Sequence, residues 1–180
     1  MNNPFTYAAI DNKDTVVADL PTLSEFALYR HATLNTASAI YALIGDPVDA
    51  SLGHAFHNHY FQQHDINAVY VKIPLTASQC SAFFSAIRSL PFAGLSVTMP
   101  LKHALADYLS PPISELDAIN TVSISPTHSQ HAATNTDGPA LIEWLQAQHA
   151  LNDKRLLIIG AGGAASGIAA ALCEVTNNIT

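Results

Sequence analysis

Short apolar runs alternate with amphipathic stretches along most of this chain, and this alternation constrains the fold more than any other feature. The first run, residues 39–44, is continuously apolar and stops at Gly45-Asp46-Pro47. Such a run is typical of a strand buried on both faces of a parallel sheet. Further strands are predicted at 68–73, 94–98, 118–125 and 130–134, with helices at 51–65, 80–90 and 101–109. Strands that alternate with helices predict an α/β sheet with right-handed crossovers.

Composition narrows the class of partner. The chain has 180 residues, of which 49% are hydrophobic, enough for one packed domain or two small ones. Seven basic and 14 acidic side chains give a formal charge of -7, without any basic run. This balance argues against nucleic acid or an anionic membrane as partner and favours a small solute. The sequence has no apolar run of about 20 residues and no signal peptide at its start, so a cytoplasmic location is expected.

The cysteines and histidines do not indicate a disulfide or a metal site. Cys80 and Cys173 each lie in an apolar helical stretch and are predicted to be buried thiols. A group of histidines occurs at His54, His57, His59 and His64. Their spacing matches no usual ligand pattern, and no second cluster of cysteines or carboxylates accompanies them. We therefore predict that the chain holds no metal.

A polar segment, Asn135-Thr136-Asp137-Gly138-Pro139, follows the last of these strands. Leu141, Ile142 and Leu145 then have helical spacing, which predicts a helix from about residue 139 to 149. Asp137 is a favourable N-cap residue for this helix, with Pro139 in the first turn. By itself, an aspartate in this position indicates a helix cap and no more.

A glycine-rich turn follows residues 155–159, which are predicted to be a buried strand because Leu156 to Ile159 form a second continuous apolar run. The turn reads Gly160-Ala161-Gly162-Gly163-Ala164-Ala165 and leads into an alanine-rich helix. This is the G-x-G-x-x-A form of the dinucleotide fingerprint: Gly160 allows the tight turn, and Gly162 lets a pyrophosphate approach the backbone. The alternative is a tight strand-to-helix turn that binds nothing.

The motifs, taken together and in this order, resemble those of shikimate dehydrogenase. They are Gly45-Asp46-Pro47-Val48 with Ser51, Val97-Thr98-Met99-Pro100-Leu101-Lys102, Ala118-Ile119-Asn120-Thr121 and Asn135-Thr136-Asp137-Gly138. The glycine turn at residues 160–164 follows at the expected distance. The resemblance covers about residues 39–175, and its specificity lies in the ordered set.

The resemblance implies a fold and an activity. It implies a substrate domain with a mainly parallel sheet flanked by helices, followed by the first β–α unit of a Rossmann NADP-binding domain, with the active site between them. The family reduces 3-dehydroshikimate to shikimate with NADPH, in aromatic amino-acid biosynthesis. The expected partners are therefore these small molecules, with neither nucleic acid nor membrane.

The resemblance also implies roles for particular residues. Lys102 and Asp137 match the catalytic pair, and Thr98 and Asn120 match substrate contacts. Ser51 matches one of two serines that hold the substrate carboxylate. The expected cofactor contacts are Gly160, Ala161, Gly162, Gly163 and Ala164. Chemically, a lysine positioned by an aspartate can supply both the proton and the positive charge that a developing alkoxide needs.

The sequence departs from the family pattern in several places. Gly53 occupies the position of the second serine. One of the two expected donors to the substrate carboxylate is therefore missing, unless His54 or a shifted loop replaces it. Asp117 stands where the family usually has glycine. The acidic or basic residue expected about 20 positions after the fingerprint falls beyond Thr180. These departures leave open a related dehydrogenase that acts on quinate or another substrate.

The opening segment resembles, more faintly, the end of a type I 3-dehydroquinate dehydratase, with a strand at residues 5–10 and a helix from Thr22. The two enzymes occur fused in this order. The expected domains are a dehydratase remnant at 1–35, a shikimate dehydrogenase substrate domain at 36–137, a linking helix at 138–153 and a truncated NADP domain at 154–180. The expected protein is thus part of a longer bifunctional enzyme. The isolated 180 residues are expected to be inactive, as a non-catalytic piece that at most binds shikimate.

Overall fold

A five-stranded sheet forms the centre of the described part of the chain. The computed structural model describes residues 27–29, 33–109, 118–148, 154–176 and 179. The strand order is β2-β1-β3-β4-β5, and the strands are β1 (Ala39–Gly45), β2 (Ala68–Pro74), β3 (Phe92–Val97), β4 (Thr121–Ile124) and β5 (His131–Thr134). The α/β class expected from the alternating pattern is confirmed.

Helices cover the sheet and link its strands. They are α1 (Gly53–Gln63), α2 (Cys80–Ile87), α3 (Leu101–Ala104), α4 (Asp137–Gln148) and α5 (Gly163–Cys173), with short 3-10 turns at Ala77–Gln79 and Ala106–Tyr108. The predicted helix at 101–109 is therefore an α-helical turn followed by a 3-10 turn. The other boundaries differ from the predicted ones by a few residues at most, a difference common at frayed helix ends.

The sheet is mixed, half parallel and half antiparallel. β1 pairs in parallel with both β2 and β3, whereas β3–β4 and β4–β5 are antiparallel. The sheet is thus less parallel than the expected mainly parallel one. For the last pair the reason is local: only six residues, 125–130, separate β4 from β5, and so short a connection can join only antiparallel neighbours.

Side chains of β1 alternate between two apolar clusters, one on each face. Ala42 and Ile44 are fully buried on the face covered by α2, where Phe84 packs. Leu43 faces the opposite side and packs with Phe61 of α1. This period of two is the reason why a continuously apolar run predicts a strand covered on both sides.

α1 is fastened to the edge strand of the described sheet by a buried asparagine. The Asn58 side chain is 1% exposed, and its Nδ2 donates to the Tyr70 carbonyl at 2.8 Å while its Oδ1 accepts from the Tyr70 N–H at 2.8 Å. These backbone groups of β2 point away from β1 and would otherwise lack a partner. One side chain thus satisfies the edge strand and sets the position of α1.

The segment before the glycine turn differs from its prediction. In place of a buried strand at 155–159, the described residues contain an isolated parallel bridge between Leu156 and Ile179. Leu157 is 69% exposed and Ile159 is 91% exposed. A strand needs a hydrogen-bonded neighbour along its length, and among the described residues Ile179 alone supplies one. α5 nevertheless forms as predicted after the turn.

Most of the opening segment lies outside the described residues, including the strand predicted at 5–10 and the start of the helix at Thr22. Ala27 and Leu28 are helical, as predicted. This piece contacts α1: the Gln62 side chain donates to the Leu28 carbonyl at 3.3 Å, and the rings of Tyr29 and His54 lie 6.1 Å apart. Residues 27–29 therefore dock on α1.

Replacing Asn58 by alanine is expected to lower the free energy of unfolding by about 2–4 kcal/mol, because it leaves the two Tyr70 backbone groups without partners and opens a cavity. Urea unfolding followed by circular dichroism measures this. Gln63→Ala, at an exposed position of the same helix, is the matched control and should change stability by less than about 0.5 kcal/mol. Equal effects of the two substitutions would contradict the role given to Asn58.

Candidate active site

Polar residues from distant parts of the sequence meet at one edge of the sheet. Thr98 follows the carboxyl end of β3, and its N–H donates to the Ile44 carbonyl at the end of β1. Asn120 immediately precedes β4, which runs in the opposite direction and so begins at the same edge. Asp137 follows β5. The carboxyl edge of parallel strands is the usual ligand site of an open α/β sheet, and here the antiparallel hairpin adds two more segments to it.

The carboxylate of Asp137 is the centre of this group. Its Oδ2 lies 2.5 Å from the ammonium Nζ of Lys102, and its Oδ1 accepts a hydrogen bond of 2.7 Å from Nδ2 of Asn120. The Lys102 and Asp137 side chains are 15% and 31% exposed. A partly shielded ion pair of this kind positions the ammonium group while leaving it reachable by a small ligand.

The helix-cap interpretation of Asp137 is replaced by another. α4 begins at Asp137 itself, and both carboxylate oxygens bond to residues outside α4. The Asp137 N–H is satisfied by the side chain of Asn135, at 3.0 Å from Oδ1. The carboxylate is therefore directed to Lys102 and Asn120 instead of the helix amides. The side chain of Asn135, in its place, accepts the backbone hydrogen bond at the start of the helix.

Asn120 is bonded inside the protein on both sides of its amide. Besides Asp137, its Nδ2 donates to Thr136 Oγ1 at 2.9 Å, and its Oδ1 accepts from the Thr136 N–H at 2.9 Å. The residue is 9% exposed. With both amide hydrogens engaged, Asn120 holds the 136–137 turn in place. Its expected contact with a substrate stays a prediction, and would require one of these bonds to be shared.

Lys102 is held by its apolar neighbours. It lies on the short helix α3 between Leu101 and Leu105, which are both fully buried, and burying such side chains contributes about 1.5–3 kcal/mol each. The Lys102 carbonyl accepts a hydrogen bond of 2.7 Å from Ile119 N–H. α3 is thus anchored on the core and on the segment that carries Asn120, so the flexible part of Lys102 is confined to its own side chain.

A cavity of about 430 Å³ separates this group from the glycine turn. It is lined on one side by Thr98 and Lys102 with their neighbours, and on the other by residues 161–164. Its volume is within the range of small-molecule sites. Thr98, Lys102 and four of the five expected cofactor contacts therefore border one space. Gly160 and Ala161 also border a second cavity of about 300 Å³ with Ser166.

The glycine turn has the geometry that a pyrophosphate needs. Gly160 has φ +133, a conformation that favours glycine. A side chain at Gly160 or Gly162 would meet no heavy atom within 4 Å, so the backbone there is open to an approaching ligand. Gly162 is the N-cap of the 11-residue helix α5, and a helix N-terminus favours an anion. The residues present thus fit a dinucleotide.

α5 presses directly on the residues around the ion pair. A Cβ atom built on Gly163 would lie 2.9 Å from Cβ of Lys102, and one on Gly167 would come too close to the amide of Asn135. A Cβ atom on Gly138 would likewise overlap the Ala171 side chain. Real Cβ atoms do not approach so closely, and the small residues let the helix pack at this distance. Gly163 thus has a packing role that the fingerprint did not indicate.

Ser51 lies at the same edge, in the loop between β1 and α1. Its Oγ accepts a hydrogen bond of 3.2 Å from Gly53 N–H, which leaves its own proton free to be donated. The proposed substitute for the second serine, His54, directs its Nδ1 to the Ser51 carbonyl at 3.1 Å. The hydroxyl that borders the vacant position is that of Tyr70, 3.8 Å from a Cβ atom built on Gly53. Nothing in the sequence pattern pointed to Tyr70, which reads as an ordinary strand residue.

Burial raises the pKa of Tyr70, and a hydrogen bond with Ser96 partly opposes that rise. The phenol is therefore neutral at ordinary pH and retains a proton to donate.

The cysteine prediction is half right. Cys80 is a buried free thiol, but Cys173 is free and exposed, at the last residue of α5. Within the described ranges, the structure contains no cluster of metal-ligating side chains. The helices in those ranges are also too short or too polar to cross a membrane.

Fold and site together define an α/β protein with a ligand site at the carboxyl edge of its sheet, facing a dinucleotide-type turn. Residues 43–122 match the family of the shikimate dehydrogenase substrate binding domain. This part of the chain belongs to that family, and the resemblance of the motifs is confirmed.

Relatives extend the match on both sides of this region. The shikimate biosynthesis protein AroDE of Chlamydia pneumoniae is 41% identical over 183 residues, covering 99% of this chain and 38% of the relative. The shikimate dehydrogenase (NADP(+)) of Lysinibacillus sphaericus is 35% identical over 143 residues, covering 73% of this chain and 49% of the relative. The chain therefore spans half or less of the length of these two relatives.

A solved structure supports the same assignment. Shikimate 5-dehydrogenase from Thermus thermophilus, in complex with NADP(H) and shikimate, superposes with a TM-score of 0.68 at 29% identity. The superposition covers 78% of this chain and 54% of that chain.

Replacing Gly167 by alanine is expected to lower the free energy of unfolding by about 1–3 kcal/mol, although alanine is the better helix former by about 1 kcal/mol. The new methyl group would collide with the Asn135 side chain, whose NMR amide signals should shift. Gly162→Ala is the matched control, because that position has ordinary φ and open space. A Gly167→Ala variant more stable than the parent would show that the close packing is wrong.

Proposed function

We propose that this chain is the substrate-binding part of an NADP-dependent shikimate dehydrogenase, which reduces 3-dehydroshikimate to shikimate. The observation that carries the proposal is Lys102, which is paired with Asp137 at 2.5 Å and lines a cavity whose other wall is the glycine turn. A proton donor and a nucleotide-type turn on opposite sides of one small space is the arrangement that reduction of a ketone requires.

Lys102 is proposed to stabilise the reacting oxygen. NADPH supplies the hydride when bound, and the oxygen of the ketone becomes negative as the hydride reaches its carbon. The Lys102 ammonium offers a positive charge and a transferable proton at that point. One of its hydrogens bonds to Asp137, and two remain for the substrate.

Asp137 is proposed to hydrogen-bond to the substrate while it remains paired with Lys102. A carboxylate oxygen has more than one acceptor site, so Asp137 can accept a hydrogen bond from a ring hydroxyl while it keeps Lys102 and Asn120. Thr98 and Asn120 are proposed as neutral contacts to the other ring hydroxyls. Ser51, whose proton is free, is proposed to hold the carboxylate.

The cofactor is proposed to bind along residues 160–164. Gly160, Gly162 and the N-terminus of α5 would hold the pyrophosphate, since they leave the backbone open there. The preference for NADP over NAD is taken from the names of the relatives.

The proposed domains are a substrate domain at 36–137, a linking helix at 138–153 and the beginning of an NADP domain at 154–180. We propose that they belong to a longer cytoplasmic enzyme fused to a dehydroquinate dehydratase. Support comes from the AroDE relative, whose alignment covers 99% of this chain and so includes the opening segment.

For the 180 residues in isolation we propose substrate binding without turnover. The observation that favours this is the exposure of Leu157 and Ile159, at 69% and 91%. These apolar side chains belong to the strand that should support the glycine turn, so the cofactor site is incompletely supported. The described part of the substrate domain, in contrast, has a buried apolar cluster on each face of its sheet.

Titration of shikimate into the folded chain, followed by heteronuclear NMR, tests the proposal. We expect saturable shifts at residues around Lys102. Asp137→Asn should weaken binding by about tenfold or more, because a hydrogen bond to a charged acceptor contributes about 1.5–3 kcal/mol.

Asp107→Asn is the charge-matched control for Asp137→Asn, since Asp107 is exposed on the 3-10 turn after α3. It should change the Kd by less than about twofold. Absence of shikimate binding by a chain with dispersed NMR signals would refute the proposed function.

A further inference from the structure

The loop that carries Ser51 has a vacant position beside it. Gly53 has no side chain, and a Cβ atom built there would lie 3.4 Å from Ser51 Oγ and 3.8 Å from the Tyr70 hydroxyl. These are ordinary contact distances. Two hydroxyl groups, from separate elements of the fold, therefore border the same small space.

Tyr70 is held rigidly with its hydroxyl at this place. Its backbone is bonded on both sides to Asn58 at 2.8 Å. Its ring stacks on His57, with centroids 4.3 Å apart and an angle of 8° between the planes. The Nδ1 atom of His57 in turn lies 2.7 Å from the Gly53 carbonyl oxygen. Thus α1 fixes both Gly53 and Tyr70, and their relative position does not depend on a flexible side chain.

Tyr70 borders a cavity, and its neutral hydroxyl has a proton to give. Only 3% of the residue is exposed, but Tyr70 and Ser96 line a cavity of about 380 Å³. Ser96 borders the same cavity as Tyr70, and a serine hydroxyl in that place can donate to the phenol oxygen, which leaves the phenol proton for a ligand. At Ser51 the donor is the Gly53 N–H, which bonds to Oγ and leaves the serine proton for a ligand.

Two other side chains near this loop hydrogen-bond to its backbone. Nδ1 of His54 pairs with the Ser51 carbonyl, and the Lys72 ammonium donates to the Asp49 carbonyl at 3.0 Å. Lys72 adds positive charge beside the loop, which favours an anionic group there.

We propose that the Tyr70 hydroxyl is the second hydrogen-bond donor, beside Ser51, to the carboxylate of the substrate. This inference rests on the proposed function and names a residue for it: the tyrosine of β2 compensates for the missing side chain at Gly53. The chemical class recognised at this point is a small-molecule carboxylate, bound by two neutral hydroxyl donors.

The test compares shikimate with its methyl ester, which keeps the ring hydroxyls but lacks the charged carboxylate. NMR titration gives the Kd of each for the unsubstituted chain and for Tyr70→Phe. We expect the Kd for shikimate to rise about tenfold in Tyr70→Phe, with less than about twofold change for the ester. Adding Gly53→Ser to Tyr70→Phe should recover part of the lost affinity, because a serine side chain fits at that position.

Tyr60→Phe is the matched control, since Tyr60 is 45% exposed and stacks on His64 at the far end of α1. It should leave both Kd values unchanged. An unchanged Kd for shikimate in Tyr70→Phe, or an equal loss for shikimate and the ester, would overturn the inference while leaving the proposed function intact. Failure of the unsubstituted folded chain to bind shikimate would overturn both.

Discussion

The Asp137 carboxylate accepts hydrogen bonds from Lys102 and Asn120, which lie 35 and 17 positions earlier in the chain. Each of the three follows or precedes a different strand, and only the sheet order β3-β4-β5 makes them neighbours. The antiparallel β4–β5 hairpin is essential here, because it returns the chain to the edge at which β1 and β3 end. An ion pair made in this way orients the lysine through the sheet, the most rigid part of the molecule.

α5 ties the glycine turn to this pair by close packing. The small residues of one helix face lie against Lys102, Asn135 and Gly138, and packing at such a distance transmits a displacement instead of absorbing it. A ligand that shifts the turn would therefore act on the same segment that carries Asp137. The site for the proposed cofactor and the site for the proposed substrate share structural elements as well as a cavity.

The regular elements were largely readable from the sequence. Apolar runs predicted β1 and β2 within a residue, because burial on both faces leaves an uninterrupted signal. The helices α1 and α2 were also located. α1 has a largely polar sequence, and its place between two predicted strands indicated a helix more than any apolar periodicity did. The segment at 155–159 has an equally strong apolar run, yet it is exposed with a single bridge. An apolar run indicates that a strand is stable only when other elements cover it. It does not show which segments pair with the strand or pack on it.

Asp137 and Tyr70 show most clearly what the local sequence determines and what depends on tertiary structure. By itself the sequence determined the alternation of strands and helices, the glycine turn and the ordered motifs, because these depend on burial and backbone preferences within a few residues. Only the tertiary structure decided that Asp137 pairs with Lys102 and Asn120 instead of capping its helix, and that the Tyr70 hydroxyl borders the position of Gly53. Both outcomes depend on strand order and helix packing, which bring together groups that no short-range pattern connects.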